Sequence, residues 1–299
     1  MKTLVLALGG NALIHEGQLG MYAQQQTNVQ NALACIPSLV RNGWHVVITH
    51  GNGPHVGNLQ LQEQALHGKI PEMPLYVDGA MTQGQIGFMI QQALSIQLGK
   101  PVPALLTRVQ VSARDPAFRH PSKPIGPYYS KKPPRGAFTH VPKKGWRKTV
   151  ASPLPQKILE LNAIQTLLKK EQVVICGGGG GIPVVKKGKK WKGVEAVIDK
   201  DLASQVLATA LNAQKLVIAT NVDFAKLHYE TPWEENIVRA KAKGLECLLA
   251  CKAFEEGSMA PKIRACIAFV EQGQGHAIIC HTNQIEKALK GLAGTHITR

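Results

Sequence analysis

Short apolar runs alternate with amphipathic stretches along most of the chain, and each run has the length of a strand. The first run, TLVLAL, ends at Gly9 and Gly10, which indicates a buried strand followed by a tight turn. The predicted strands are Thr3–Leu8, His45–Thr49, Ala104–Thr107, Val173–Cys176, Leu216–Thr220 and Ala277–Cys280.

The stretches between these strands carry apolar residues at helical spacing. A first helix is predicted to place Val29, Leu33, Leu39 and Val40 on one face, to bend at Pro37 and to stop at Gly43. The second predicted helix begins at Pro54 and the third spans Met81–Leu98. A fourth is marked by Ile158, Leu161, Ile164, Leu167 and Leu168, and a fifth by Leu202, Val206 and Ala210. The last predicted helix begins at Pro261. This alternation predicts an α/β fold whose mainly parallel sheet is covered by helices on both faces.

Three of the predicted strands end in glycine-rich turns, namely Gly9-Gly10-Asn11, Gly51-Asn52-Gly53 and Gly177–Gly181. Ligands of parallel sheets bind beyond the carboxyl ends of the strands, so three such turns favour a shared anion site. The five-glycine run fits neither phosphate motif. No lysine followed by Ser or Thr closes it as in a P-loop, and Ile182 and Pro183 follow where a dinucleotide-binding helix would open. Taken alone, that run is explained equally well as a flexible linker.

The formal net charge of +16 is concentrated in two segments. Residues 119–150 hold nine Lys or Arg side chains and residues 186–192 hold five lysines, and neither segment contains an acidic residue. Such local excess favours a compact anionic partner, such as a polyphosphate. Nucleic acid is the alternative partner, but aromatic residues make up only 5% of the chain and no RNA-binding or zinc-finger spacing is present.

Residues 116–150 lose the periodicity of the rest and are rich in proline and basic residues. An excursion of this length inside a compact domain is typical of a functional arm or lid, and we expect it to lie over the site. The competing interpretation is a solvated basic insertion without a role. On this view the chain, 1–299, is a single domain with a protruding basic subdomain at 116–150.

The rest of the composition predicts a cytoplasmic protein. The six apolar residues before Gly9 are too few for a signal sequence, and no apolar run approaches the length of a membrane span. The six cysteines are expected to be buried free thiols, as in a reducing compartment.

Two lysines stand where phosphate chemistry would use them. Lys200 lies between Asp199 and Asp201 just before a predicted helix. Asp201 is expected to cap that helix or to hold Lys200 or a Mg²⁺ ion, and these two roles are compatible. Lys262 lies in the first turn of another helix, which is unfavourable for a cation unless an anion binds there. The histidines lack metal-ligand spacing and no serine-hydrolase motif is present, so phosphoryl transfer is the chemistry favoured.

Eight segments occur in one order across almost the whole chain: ALGGNAL (7–13), THGNGPHVG (49–57), AMTQGQIGFM (80–89), PSKPIGP (121–127), GWRK with ASPLP (145–155), GGGGIPVV (178–185), GVEAVIDKDLAS (193–204) and GSMAPK (257–262). Together they closely resemble carbamate kinases. The resemblance implies the amino acid kinase fold, a three-layer αβα sandwich around a mainly parallel open sheet with a small protruding subdomain. It also implies a homodimer that transfers phosphate reversibly between ATP and carbamate, yielding ADP and carbamoyl phosphate.

The resemblance also implies roles for individual residues. Lys123 would be the lysine that the protruding subdomain brings to the transferred phosphoryl group, Lys200 the catalytic lysine and Asp201 its organising carboxylate. Lys262 would reach the nucleotide phosphates, and Mg²⁺ would be held mainly by the ATP or ADP rather than by protein ligands. The glycine run would lie beside the nucleotide and the lysines after it in a basic hairpin without catalytic role. The remaining residues implied are Gly9, Gly10, Asn11, Gly51, Asn52 and Gly53 for the substrate phosphate, and Gly178, Gly179, Asn221 and Met259 for the nucleotide.

Two other functions stay open at this stage. One is a kinase of the same fold with a different small acceptor, and the other is a catalytically silent protein that binds nucleotide or nucleic acid. Asn221 departs from the aspartate that is usual in carbamate kinases, while Lys123, Lys200 and Lys262 are all present.

Overall fold

The computed structural model describes residues 1–15, 17–133, 136–141, 145–273 and 275–299. Arg135, Lys143 and Lys144 of the basic segment lie outside the described residues, as do the side chains of Asn11 and Pro127. The strands are β1 (Lys2–Leu8), β2 (Trp44–His50), β3 (Arg108–Val111), β4 (Lys123–Tyr129), β5 (Phe138–Val141), β6 (Gly145–Val150), β7 (Pro155–Ile158), β8 (Val173–Ile175), β9 (Ile182–Lys187), β10 (Lys190–Gly193), β11 (Lys215–Thr220), β12 (Ala225–Leu227), β13 (Glu235–Ile237), β14 (Arg239–Lys241), β15 (His276–His281) and β16 (Thr295–Thr298). The helices are α1 (Tyr22–Ala32), α2 (Ile36–Arg41), α3 (Gly53–Ala65), α4 (Leu75–Leu98), α5 (Leu161–Glu171), α6 (Lys200–Ala210), α7 (Ala242–Ala250), α8 (Met259–Gln272) and α9 (Ile285–Leu289).

The core of the molecule is a seven-stranded sheet with the order β14-β16-β15-β11-β1-β2-β8. Its pairs are parallel except for β15 with β16. Alternate side chains of β1 belong to two separate hydrophobic clusters, Leu4 and Leu6 to one and Val5 and Ala7 to the other. The sheet is therefore buried on both faces, which confirms the predicted α/β sandwich.

The carboxyl ends of β11, β1, β2 and β8 lie side by side at one edge of this sheet. The pattern of hydrogen bonds between strands continues into the turns. The Gly9 amide donates to Ala219 O at 3.0 Å, and the Gly51 amide donates to Leu8 O at 2.9 Å. The loops predicted to share a site are thus neighbours.

Residues of the basic segment form a separate three-stranded antiparallel sheet with the order β4-β6-β5. The register of β4 on β6 shifts between Ile125 and Tyr128, which interrupts the alternation along β4. This sheet packs against α3 so tightly that a Cβ on Gly57 would lie 2.9 Å from Gly126 Cα. A four-stranded sheet with the order β10-β9-β3-β7 contains the basic hairpin, β9 and β10, that the family resemblance implied.

Two predicted elements differ in the structure. The helix predicted to bend at Pro37 is two helices, α1 and α2, because Pro37 has no backbone N–H to continue a helix and instead lies in the first turn of α2. The strand predicted at Ala104–Thr107 is a single bridge from Ala104 to Ile175, and the strand begins at Arg108.

The remaining differences concern boundaries and burial. Ile158, assigned to a helix by its spacing, is the last residue of β7 and pairs with Val109. Helix α4 begins six residues before the predicted Met81. Cys247 and Cys251 are exposed rather than buried, because they lie on and just after the short surface helix α7. Among the described residues, no helix has both the length and the apolar character needed to cross a membrane.

Candidate active site

The first turn of α6 is organised by Asp199. Its Oδ1 accepts hydrogen bonds from the Asp201 amide at 2.9 Å and the Leu202 amide at 3.3 Å, as an N-cap residue does. The expectation that Asp201 caps this helix is therefore wrong, because the N-cap lies two residues earlier, at Asp199, and Asp201 is already helical. Asp201 is only 2% exposed, so its carboxylate needs other partners.

Asp201 bridges the two lysines that the sequence singled out. Its Oδ1 accepts from Lys200 Nζ, and its Oδ2 accepts from Lys262 Nζ at 2.9 Å. Burial alone would raise the pKa of the Asp201 carboxyl, but the Lys200 and Lys262 ammonium groups outweigh it and hold the pKa well below its usual range. The lysine in the first turn of α8 is thus tolerated because a buried carboxylate lies against it.

The two lysines differ in the balance of burial and charge. Burial lowers the pKa of Lys200 below its ordinary value, although Asp201 opposes this. Burial also acts downward on Lys262, but Asp201 leaves its pKa above the ordinary value. Both side chains are largely buried, at 13% and 15% exposure, so these charges are held in fixed positions.

Lys123 reaches the same place from the separate three-stranded sheet. Its Nζ donates to Asp199 Oδ2 at 2.6 Å, and its side chain is 31% exposed. Three ammonium groups from β4, α6 and α8 therefore meet two carboxylates at one point. One positive charge is left over, which makes the position suited to an anion.

Two of the glycine turns close around Lys200. A Cβ on Gly51 would lie 3.1 Å from Gly10 N and 3.4 Å from Lys200 Cδ, so a larger residue would crowd both neighbours. Asn52 is turned inward, with its Nδ2 donating to Thr82 Oγ1 at 2.9 Å. Gly10 and Gly51 thus lie next to Lys200, while the Asn52 side chain contacts Thr82 of α4.

The five-glycine run packs behind this position, against β2 and α4. Gly178 O accepts from Gln83 Nε2 at 3.0 Å, and Gly179, at φ 63°, would overlap Asn52 if it carried a side chain. This explains the glycines by close backbone packing and left-handed conformation rather than by linker flexibility.

Asn221 and Met259 come together in a cavity at the carboxyl end of β11, next to the start of α8. Met259 lies one helical turn before Lys262, so the cavity adjoins the lysine cluster. Three aromatic side chains that sequence reasoning missed also line it, Phe224, Tyr229 and Phe254. They lie in separate segments without a shared spacing, so no sequence signal marked them. The structure does not bring Gly178 and Gly179 to this cavity, because β1 and β2 lie between β8 and β11.

The histidines nearest the site are uncharged near neutral pH. Burial lowers the pKa of His50 to about 4, helped by the nearby His55 and Lys200. Burial also lowers the pKa of His55, whose Nε2 lies 2.6 Å from Gln25 Oε1. Neither imidazole adds charge to the cluster.

The chain is similar to known kinases over nearly its whole length. The model of the amino acid kinase family matches residues 2–281. The carbamate kinase of Pyrococcus horikoshii is 43% identical, with 99% of this chain and 99% of that protein covered. Carbamate kinase 2 of Staphylococcus aureus is 41% identical over 99% of both chains. The solved structure of a carbamate kinase from Giardia lamblia bound to AMP-PNP has a TM-score of 0.91 and 39% identity, and covers 99% of this chain and 98% of that one.

The chain belongs to the amino acid kinase family, and it is a phosphotransferase. Within that family its full-length relatives group it with the carbamate kinases, which the motifs in the sequence predicted.

Proposed function

We propose that the protein catalyses reversible phosphoryl transfer between ATP and carbamate, giving ADP and carbamoyl phosphate. The observation that carries this is the cluster in which Lys123, Lys200 and Lys262 meet at the carboxyl ends of the sheet strands. Phosphoryl transfer depends on positioning and on cations around the transferred group, and fixed ammonium groups supply both. Carbamate is already ionised, so the acceptor needs no general base, and the neutral His50 and His55 are consistent with that.

The positions of the three lysines support a proposed role for each. Lys200 and Lys123 would stabilise the charge on the phosphoryl group in transit, with Lys123 brought in by the protruding subdomain. Lys262 would hold the nucleotide phosphates, since it lies one turn beyond the cavity of Asn221 and Met259 that would take the nucleoside. Asp201 would orient Lys200 and Lys262 together. The substrate phosphate would lie against the turns of Gly9, Gly10 and Asn11 and of Gly51, Asn52 and Gly53, with the glycine run of Gly178 and Gly179 supporting them from behind.

Magnesium would enter as the complex with ATP or ADP. Each carboxylate oxygen of Asp199 and Asp201 already accepts from an N–H donor. The residues present therefore fit a site in which the nucleotide phosphates carry the metal, rather than one with a protein carboxylate ligand.

The test is ATP formation from carbamoyl phosphate and ADP by the purified protein, with and without Mg²⁺. We expect ATP to form only with the divalent cation. Binding of ADP without ATP formation would identify a silent paralogue, and ATP formation only from a different phosphorylated donor would identify a kinase with a shifted acceptor.

We also propose that the protein is a cytoplasmic homodimer. Met81, Phe88 and Ile96 on α4 are exposed by 48%, 50% and 74%, and Leu106 beside them by 57%. Apolar exposure grouped on one helix supports an interface there. The six cysteines are all free, as in a reducing compartment. In sedimentation, Phe88→Glu should shift the protein toward monomer, whereas Leu154→Glu, at an exposed apolar residue elsewhere, should not. A monomeric wild type would overturn the homodimer.

A further inference from the structure

A second group of cations lies at the opposite end of the central sheet, where β11 and β15 begin. A cavity of about 570 Å³ opens there, with walls that include Ala240 and Leu289. Its basic lining residues are Lys215, Arg239, Lys241, His276, Lys290 and His296. This volume is in the range of small-molecule sites.

Four of these side chains form one row across four neighbouring strands. Lys215 of β11 lies directly opposite His276 of β15, and Arg239 of β14 lies opposite His296 of β16. His296 pairs with Ile278, two residues from His276, so both histidines are on the same face. Lys215 and Arg239 thus each lie opposite a histidine rather than opposite a carboxylate.

The cavity contrasts with the active site in having no carboxylate of its own. Among the described residues that line it, none is Asp or Glu. Lys290 pairs with Glu286 at 3.0 Å, and Lys241 donates to the backbone oxygen of Arg299 at 2.8 Å. Over the described part of the chain, neither Lys215 nor Arg239 forms an ion pair.

The two histidines are hydrogen-bonded as a neutral pair. His296 Nε2 lies 2.9 Å from Ala293 O, and a carbonyl only accepts, so Nε2 carries the proton. His296 Nδ1 then accepts from His276 Nε2, 3.2 Å away. Burial, together with the nearby Lys215, His296 and Arg239, lowers the pKa of His276 to about 4. The imidazoles thus stay uncharged among unneutralised cations and leave Lys215 and Arg239 to face a ligand.

We propose that this cavity binds a small polyvalent anion that carries phosphate groups, at a site separate from the active site. Lys215 and Arg239 are its principal anchors, with Lys241 and Lys290 at the rim. Leu289 and Ala240 offer an apolar wall to the remainder of an organic ligand.

The experiment measures binding of inorganic tripolyphosphate by calorimetry in a Lys262→Ala background, which weakens phosphate binding at the active site. We expect one remaining binding event. Adding Lys215→Gln with Arg239→Gln should weaken it at least about tenfold, because each substitution removes a charge-assisted hydrogen bond to the anion.

The matched control is Lys187→Gln with Lys190→Gln, which removes the same two charges from the exposed β9–β10 hairpin. That pair should change the affinity less than twofold. Equal weakening by both pairs would show only the general field of a basic protein and would overturn the proposal. Loss of all binding with Lys262→Ala alone would place the anion at the active site and would overturn it too. Thermal unfolding of each variant checks that it is folded.

Discussion

The two ends of the central sheet both gather cationic side chains, and they differ in what neutralises them. At the carboxyl ends, Lys123, Lys200 and Lys262 are each held by Asp199 or Asp201. At the amino end, Lys215 and Arg239 face neutral histidines instead. A buried cation with a carboxylate is fixed in place and ready to act on a phosphoryl group, whereas cations without one are stabilised only when an anion arrives.

The largest expected effect comes from removing the shared carboxylate at the carboxyl end. Asp201→Asn leaves Lys200 and Lys262 without their buried partner, which should destabilise the protein by about 3–5 kcal/mol. Urea unfolding measures this. Unchanged stability would mean that the carboxylate does not hold the cluster together.

The contribution of the Asp201 carboxylate to the free energy of unfolding depends on pH. The folded-state pKa of Asp201 is lowered, so its contribution is fully present above the unfolded pKa of about 4 and is lost only in stronger acid, as pH falls through the folded value. Wild type and Asp201→Asn should therefore converge in stability at strongly acidic pH.

Removing a cation from the same cluster should lower the turnover rate more than it weakens nucleotide binding. Lys200→Ala should lower kcat by about 10²–10³, as loss of one preorganised donor does, while ADP binding changes little. Steady-state kinetics of ATP formation measures both. A raised KM for ADP with unchanged kcat would make Lys200 a binding residue. Lys187→Ala, on the exposed hairpin, is the matched control.

Substitutions of Lys123 and of the other basic residues in its sheet should differ in how their kinetic effects depend on salt concentration. The contact of Lys123 with Asp199 places it in the cluster, so Lys123→Ala should lower kcat strongly at any ionic strength. Lys131→Ala with Lys132→Ala should lower kcat/KM for carbamoyl phosphate at low salt and match wild type at high salt, because steering charges are screened. A near-normal kcat for Lys123→Ala would make the arm a passive insertion.

The smallest expected effect is a gain in stability from a substitution at the amino end of the sheet. Arg239→Gln removes a cation that has no carboxylate partner among the described residues, and should stabilise the protein at low salt by no more than about 0.5 kcal/mol, the usual range of surface substitutions. The gain should shrink in high salt and reverse when tripolyphosphate is added, as urea unfolding would measure. A loss of stability without added anion would mean that Arg239 has a structural partner.

The sequence predicted the parts of the fold that depend on local pattern. Strands such as β1 and β11 are buried on both faces, and continuous apolar runs are how such strands are encoded. The strands β4, β5 and β6 were missed because their stability comes from pairing with one another and from packing on α3, not from their own alternation. Ile158 was misassigned for a related reason, since its strand is specified by its partner Val109.

By itself the sequence determined the alternating α/β order, the glycine turns at the strand ends and the lysines with the chemistry for phosphate. Only the tertiary structure decided which charges meet. Asp201 reaches Lys262 across 61 positions of the chain and Lys123 reaches Asp199 across 76. It also decided that Lys215, His276, His296 and Arg239 form one row. The physical reason is that local pattern specifies whether a segment is a strand or a helix, whereas neutralisation of a charge depends on distance in space, which the order and register of the strands set.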